Sequence, residues 1–110
     1  MALYAIYDED SFLYVTSNIL TPELDNLGKH TLLFTSPKEA WRRIRSKERG
    51  LDYTKLQTEL AFWLLEKVYN TPRWDLNVSH DEWMDAVSQF QNLTVHKICM
   101  LDVADVKEEE

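Results

Sequence analysis

One cysteine, three histidines and many carboxylates are the side chains that could do chemistry in this chain. Nucleophilic catalysis needs a thiol or hydroxyl with a base in hydrogen-bond reach. His96 and Cys99 are three residues apart in a stretch that predicts a strand, so they point to opposite faces and cannot pair locally. Cys99 is better explained as a small buried hydrophobic residue. The sequence therefore predicts no catalytic residue.

A metal site would need clustered His, Asp, Glu or Cys side chains at helical or turn spacing. The best set is His80, Asp81 and Asp85, of which the two aspartates lie one helical turn apart. Acidic residues favour helix starts for electrostatic reasons alone, so this spacing does not indicate a metal. With only Gly28 and Gly50, the chain has no glycine-rich phosphate loop. We expect no metal, no cofactor and a protein that is not an enzyme, although carboxylates could still pair across the fold.

The chain is strongly acidic, with 12 Lys and Arg residues, 19 Asp and Glu residues and a formal net charge of −7. This balance disfavours direct nucleic-acid binding and favours a protein partner with a basic surface. The candidate contact residues are Asp8, Glu9, Asp10, Asp81, Glu82 and Asp85. A solvated turn and a dipole-favoured helix start are simpler explanations of the same carboxylates.

Half of the basic residues fall within 38–49, which holds six basic and two acidic residues. On the predicted helix Arg42, Arg45 and Arg49 share one exposed line. Arg43 lies beside that line. The set predicts either a polyanion contact or a solvated face that pairs with the acidic remainder of the chain. The second explanation is favoured, because a basic patch inside an acidic field attracts polyanions poorly.

Two aromatic residues fall on the polar side of the second predicted helix. Phe62 projects beside charged residues at about 100° per residue, and Tyr69 lies near it. An exposed ridge formed by Phe62 and Tyr69 would mark a protein interface. Alternatively, another part of the chain covers the two rings, and the helix projection alone does not separate these readings.

The order of predicted elements, three strands, three helices and one strand, indicates an α+β fold. We expect a mainly antiparallel sheet of about four strands packed with three helices. The first three strands should form a meander, and the last should lie beside the first. The predicted strands are Ala2–Tyr7, Phe12–Thr16, Thr31–Thr35 and Leu93–Val103. A separate helical subdomain over 51–91 is the alternative.

Capping residues give the clearest local signals. Ser36 and Pro37 predict a helix start, with Glu39 completing a capping box, and this helix should end near Lys47 or Arg49. The second helix is expected over 53–69, capped by Asp52 or by Thr54 in a capping box with Gln57. The third is expected from 79 to about 92, with a capping box of Ser79 and Glu82. The connection 18–30 should contain a short helical turn. Trp74, in the connection before the third helix, is expected to be packed.

Length and composition predict a single domain over 1–110, with an acidic tail at 104–110 that frays. No apolar run is long enough to span a bilayer, and the N-terminus lacks the pattern of a signal peptide. A single cysteine allows no intramolecular disulfide. We therefore expect a cytoplasmic protein of a bacterial host, with no membrane partner.

The first 45 residues resemble a pattern found in small phage and mobile-element proteins. The hairpin LYAIYDEDSFLYVT leads into a strand and a short helix, LLFTSPKEAWRRI. The resemblance is to acidic accessory proteins of the anti-CRISPR and anti-defence kind, and it implies a protein that binds and redirects a host protein. The basic first helix departs from a pure DNA mimic, so only mimicry by one face is implied. No functional residue is carried over.

These features predict a non-enzymatic inhibitor or modulator of phage type. It would bind a host protein through an acidic surface and block a nucleic-acid-binding defence protein such as a CRISPR nuclease. An immunity-type or antitoxin-type neutraliser of a bacterial toxin is the alternative, because such proteins are also small and acidic. A nucleic-acid-associated protein that uses the Arg-rich helix is a further alternative.

Overall fold

An antiparallel sheet with helices packed against it forms in the part of the chain that the computed structural model describes, residues 2–18, 21–47, 49–99 and 103–106. Its six strands are β1 (Leu3–Asp8), β2 (Leu13–Val15), β3 (Leu24–Asp25), β4 (Leu33–Phe34), β5 (Leu93–Ile98) and β6 (Val103–Val106). The helices are α1 (Pro37–Arg45), α2 (Lys55–Tyr69) and α3 (His80–Ser88), with a 3-10 turn at Arg73–Asp75. The predicted class, an antiparallel sheet packed with three helices, is confirmed.

The first strand lies at the centre of the sheet. One edge of β1 pairs along its whole length with β5, which confirms that the last part of the chain returns beside the first strand. The other edge is shared, because β2 pairs with the Tyr7 end of β1 and β4 pairs with the Tyr4 end. The meander continues from β2 to β3 and not to the predicted third strand. A three-residue β2 leaves half of the β1 edge free, and β4 takes it.

Two stretches differ from the sequence-based expectation. The connection 18–30 contains β3, which pairs with β2, and its described residues form no helical turn. The predicted single strand Leu93–Val103 is instead a pair of antiparallel strands, β5 and β6. Residues 104–106 of the predicted frayed tail thus lie in a strand, while 107–110 lie outside the described residues. Apolar alternation identifies strand-forming residues but does not locate the reversal between two strands.

The three helices differ in how they begin. Thr54 and Gln57 form a complete capping box at α2, in which each side chain accepts a hydrogen bond from the other residue's backbone N–H, at 3.1 and 2.8 Å. Ser79 Oγ accepts from the Glu82 N–H at the start of α3, at 3.1 Å. Ser36 precedes α1 without a side-chain capping bond, contrary to the predicted capping box.

Helix α1 is shorter than expected. It ends at Arg45, and Lys47 instead forms a β-bridge with Thr54. Arg49 therefore lies beyond the helix, in the turn with Gly50, whose φ of 81° is the left-handed conformation that glycine tolerates. Arg49 does not extend a helical line of arginines.

The core has two layers that meet at α2. Between the sheet and the helices, Ile6, Val15 and Val95 pack against Leu56 and Leu60, all of them fully buried. A second cluster joins α2 to α3 and is built from Ala61, Leu65, Ala86 and Val87. Leu64 packs against both clusters. The wide apolar face of α2 thus fixes the position of the sheet and of α3 together.

The sheet face away from the main core is also covered. Ala5 and Ile6 are neighbours that point to opposite faces, and both are fully buried. The Tyr7 and His96 rings stack at 4.0 Å, and the Tyr14 hydroxyl lies 2.9 Å from His96 Nδ1 in a buried hydrogen bond. Tyr7, Tyr14 and His96 contact one another on this face, so the hairpin carries packed side chains on both faces of the sheet.

Phe12 ends the β1–β2 turn in an uncommon conformation. Its φ is 62°, and its side chain is 73% exposed. The left-handed region costs a residue with a Cβ roughly 1–2 kcal/mol, and glycine escapes that cost. Neither its backbone conformation nor its exposed ring stabilises the fold.

We predict that Phe12→Gly is more stable than Phe12→Ala by about 1 kcal/mol, which reverses the usual order of these two residues. Both variants lose the ring, so the difference isolates the backbone conformation. Chemical denaturation of the two variants measures it. A more stable alanine variant would contradict the left-handed conformation at this position.

Removing the Thr54 hydroxyl, which caps α2, should destabilise the protein. Removing the Ser36 hydroxyl, which precedes α1 without a capping bond, should not. Thr54→Ala is expected to lower the free energy of unfolding by about 1 kcal/mol, because Thr54 accepts the Gln57 N–H. Ser36→Ala is the matched control, with an expected change within about 0.5 kcal/mol. Equal effects in urea denaturation would show that the two caps do not differ in this way.

Candidate protein-binding surface

The acidic β1–β2 loop begins with a carboxylate that supports the fold. Asp8 is 2% exposed and accepts hydrogen bonds from the Ser11 hydroxyl at 2.7 Å and the Asp10 N–H at 3.3 Å. The prediction that Asp8 belongs to an exposed acidic surface is therefore wrong. As the last residue of β1, it shares the core-facing side of the strand with Ile6.

The other two loop acids are exposed and attached to the segment after α3. The Glu9 N–H donates to the Asn92 carbonyl at 3.2 Å, and both Asp10 carboxylate oxygens accept from Asn92 Nδ2 at 3.1 Å. These contacts fix the loop at the C-terminal end of α3.

The remaining predicted acids lie on α3 itself. Asp81, Glu82 and Asp85 are all exposed, and the first two are in its first turn. A nine-residue helix is about 13 Å long, so Asp81 and Glu82 lie at the end of α3 away from the β1–β2 loop, and Asp85 lies near the middle of the helix. The structure therefore places the predicted acidic residues in two groups and not in one continuous cluster.

The predicted aromatic ridge is half covered. Phe62 lies between Trp83, at 4.7 Å between ring centroids, and the Arg73 guanidinium, 4.3 Å from its ring. Phe62 is only partly exposed, because a later part of the chain covers its ring. This outcome agrees with the alternative prediction that the ring is covered. Tyr69 is 49% exposed, and its hydroxyl donates to Glu82.

The exposure of Trp74 differs from the sequence-based prediction. The side chain is 84% exposed, whereas the sequence predicts that it is packed. It lies in the 3-10 turn, where the Asp75 N–H donates to the Pro72 carbonyl at 2.9 Å. Its flanking residues, Arg73 and Asp75, are charged, and this polar context was the signal for exposure.

Trp74 follows the last residue of α2 by five positions in the chain. Val68 and Tyr69 end that helix and are 64% and 49% exposed. The chain folds back there, because the Thr71 N–H donates to the Glu66 carbonyl at 3.1 Å and Arg73 forms a salt bridge with the Glu66 carboxylate at 3.2 Å. We call Val68, Tyr69 and Trp74 the aromatic corner.

Acidic groups border the aromatic corner. Asp75 is exposed next to Trp74, and the hydrogen bond from Tyr69 brings Glu82 and the start of α3 to this end. Lys67 is the exposed cation of the last turn of α2, and its Nζ lies 5.4 Å from the Trp63 ring centroid. The corner therefore combines apolar side chains with a charged border of two acids, Asp75 and Glu82, and two bases, Lys67 and Arg73.

The arginines of α1 do not form a separate free surface. Arg43 forms a 3.1 Å salt bridge with Glu59 of α2, and Arg45 Nε donates to the Trp41 carbonyl at 3.4 Å. Arg42 is exposed and lines a shallow cavity of 370 Å³ together with Arg43 and Glu39. The predicted line is thus divided, since Arg49 also lies beyond the helix.

The described part of the chain contains no candidate metal centre. No group of three or more His, Cys, Asp or Glu side chains in it is arranged to hold a metal ion. Cys99 follows β5 directly and is exposed, so the expectation of a buried cysteine is wrong.

None of the helices in the described part of the chain has the length and apolar character required to cross a bilayer.

The bond between Tyr69 and Glu82 predicts a pH effect. It raises the pKa of Tyr69 above its usual value of 10, and partial desolvation and the Glu82 charge act in the same direction. The protonated phenol is the donor, so the bond is present below the ordinary pKa and is lost as pH rises through the raised one. Glu82→Gln should lower the pKa of Tyr69, measured by NMR titration of its ring carbons. An unchanged pKa would mean that Glu82 does not hold the phenol.

Comparison with known proteins gives no relative from which a function could be transferred. No protein-family model, no curated protein and no solved structure matches this chain. The functional argument therefore rests on the geometry of the aromatic corner and its charged border.

Proposed function

We propose that this protein is a non-enzymatic binding protein that inhibits or modulates a protein partner through the aromatic corner. The observation that carries the proposal is Trp74, which is 84% exposed on a hydrogen-bonded turn. Tryptophan and tyrosine are enriched among the residues that dominate binding energy at protein interfaces. An exposed group of large apolar side chains with a polar border is typical of an interaction site.

Local rigidity supports the same proposal. The 3-10 turn is closed by the Asp75 and Leu76 N–H groups, which donate to the Pro72 and Arg73 carbonyls at 2.9 and 3.2 Å. The Arg73 salt bridge to Glu66 attaches this turn to α2. A side chain presented on a fixed backbone loses less conformational entropy when it binds, so more of its contact energy contributes to affinity.

The charges around the corner favour a partner with basic groups. A symmetric dimer through this face would bring Asp75 and Glu82 of one copy towards the same carboxylates of the other, and like charges disfavour that arrangement. A partner with Lys or Arg around an apolar pocket would be attracted, and association should slow as salt rises.

We extend the proposal to the class of partner, a nucleic-acid-binding protein of the bacterial host such as a defence nuclease. The basic surface that such a protein uses for phosphates is complementary to an acidic chain with a net charge of −7. The inhibitor would occupy that surface in competition with nucleic acid. The arginine-based alternative has less support, because Arg43 and Arg45 are engaged within the chain.

The test is a capture experiment with a competition readout. Tagged wild-type chain and its Trp74→Ala variant are incubated with lysate of the bacterium that would host the chain, and the retained proteins are identified by mass spectrometry. A partner's binding to labelled DNA or RNA is then measured by anisotropy. The wild-type chain should displace the nucleic acid, and Trp74→Ala should need an about 30-fold higher concentration, the effect of losing about 2 kcal/mol.

Leu51→Ala is the matched control, since Leu51 is also an exposed hydrophobic residue, at 37%, in the connection between α1 and α2. It should bind and compete like the wild type. Equal binding by Trp74→Ala would exclude the aromatic corner. Captured partners that bind no nucleic acid would exclude the proposed partner class.

A further inference from the structure

A cleft lies where the end of α1, the start of α2 and the start of β5 meet. Its volume is 420 Å³, within the usual range of about 300–1,000 Å³ for ligand sites. Ile44, Phe90 and Leu93 form its apolar walls, and its charged lining residues are Arg45 and Lys47. None of its described lining residues is acidic. We call it the basic cleft, because this lining favours an occupant that carries carboxylates.

The backbone fixes both cations at the basic cleft. Lys47 forms a β-bridge with Thr54, and the Lys55 N–H donates to the Ser46 carbonyl at 2.9 Å, so the end of α1 is tied to the start of α2. Arg45 Nε donates to a backbone carbonyl of its own helix. A guanidinium has five N–H donors and can hold several partners at once, so this bond is compatible with a further carboxylate.

The pairing of β6 with β5 points an acidic segment towards the same cleft. In this antiparallel pair Ile98 lies opposite Val103, and Val95 lies opposite Val106. Two more residues in the same register would bring position 108 opposite Leu93, which lines the basic cleft. The residues at 108–110 lie outside the described residues, and their sequence is Glu-Glu-Glu. The register is thus an observation, independent of the cleft, that supplies three carboxylates beside two cations.

The same register also selects the correct face of the sheet. Leu93 and Val95 pack in the core cluster that contains Ala40 of α1, so their side chains point to the helices. Directly opposed residues of an antiparallel pair carry their side chains on one face. In a continued strand, position 108 would therefore share the helix side with Leu93, and position 110 would share it by the two-residue period.

We propose that residues 108–110 dock in the basic cleft of their own chain and pair with Arg45 and Lys47. An internal occupant is favoured, because β6 gives it a high effective concentration, whereas an external anion has to approach a chain of net charge −7. The contact makes the basic end of α1 an internal anchor and not a site for external polyanions. The inference is independent of the proposed function, since the aromatic corner takes no part in it.

The test is a nitrogen-15 NMR relaxation measurement on the full chain at low salt. We expect the amides of residues 108–110 to have order parameters of about 0.8, close to those of a rigid backbone. Arg45→Gln combined with Lys47→Gln should lower them below about 0.6, the range of a flexible segment. Lys38→Gln combined with Arg42→Gln is the matched control, because both residues are exposed on α1 and neither is a described lining residue of the basic cleft. This pair should leave the order parameters unchanged.

A second variant tests the contact from the other side and changes no residue of the cleft. Glu108→Gln, Glu109→Gln and Glu110→Gln together keep the side-chain shape and remove the charge. This triple variant should lose the order of the segment and shift the Arg45 and Lys47 amide resonances.

Three results would overturn the inference: low order parameters in the wild-type chain, equal effects of the two pairs of cation substitutions, or unchanged Arg45 and Lys47 amides in the triple variant. Order that appears only at high protein concentration would place the segment in the cleft of a second copy, and it would also overturn docking within one chain.

Discussion

The pairing of β1 on both of its edges is the constraint on which the other parts of the structure depend. All six residues of β1 pair with β5, and its other edge is divided between β2 and β4. Ala5 and Ile6 are fully buried on opposite faces, so a shift of one residue in register would exchange both faces at once. The same register buries Asp8 at the end of the strand, where it closes the β1–β2 loop.

Local signals in the sequence were sufficient for the fold class and for much of the helix placement. The capping box of Thr54 and Gln57, the serine at position 79 and the proline at position 37 mark helix starts that form as expected. These signals act over three or four residues, so they do not depend on the rest of the fold. They failed at Ser36, where the residue type is right and the capping bond is absent.

The non-local parts of the fold were not predictable in this way. The two-residue strand β4 pairs with the part of β1 that β2 is too short to cover, β3 pairs with the other edge of β2, and β6 pairs with β5. The exposure of the aromatic residues depends equally on tertiary contacts. Phe62 is covered by Trp83 and Arg73, which come from later segments, whereas Trp74 meets no such cover. The projection of a single helix shows neither the cover over Phe62 nor the exposure of Trp74.

Helix α3 organises the surface as β1 organises the core. Its first turn brings Glu82 to Tyr69 at the aromatic corner, and Asn92 in the segment after it holds Asp10 of the β1–β2 loop. Under the proposed function, the charge of the chain would attract the partner and the aromatic corner would retain it by apolar contact.

Site-specific photo-cross-linking at position 74 tests the central claim, that Trp74 lies in the contact with a partner, most directly. The photoreactive residue p-benzoylphenylalanine replaces Trp74 in one variant and Leu33, an exposed residue of β4, in another. Irradiation in host cells should give one dominant protein adduct from position 74, to a nucleic-acid-binding protein, and none from position 33. No adduct at position 74, or the same adduct from both positions, would contradict the account.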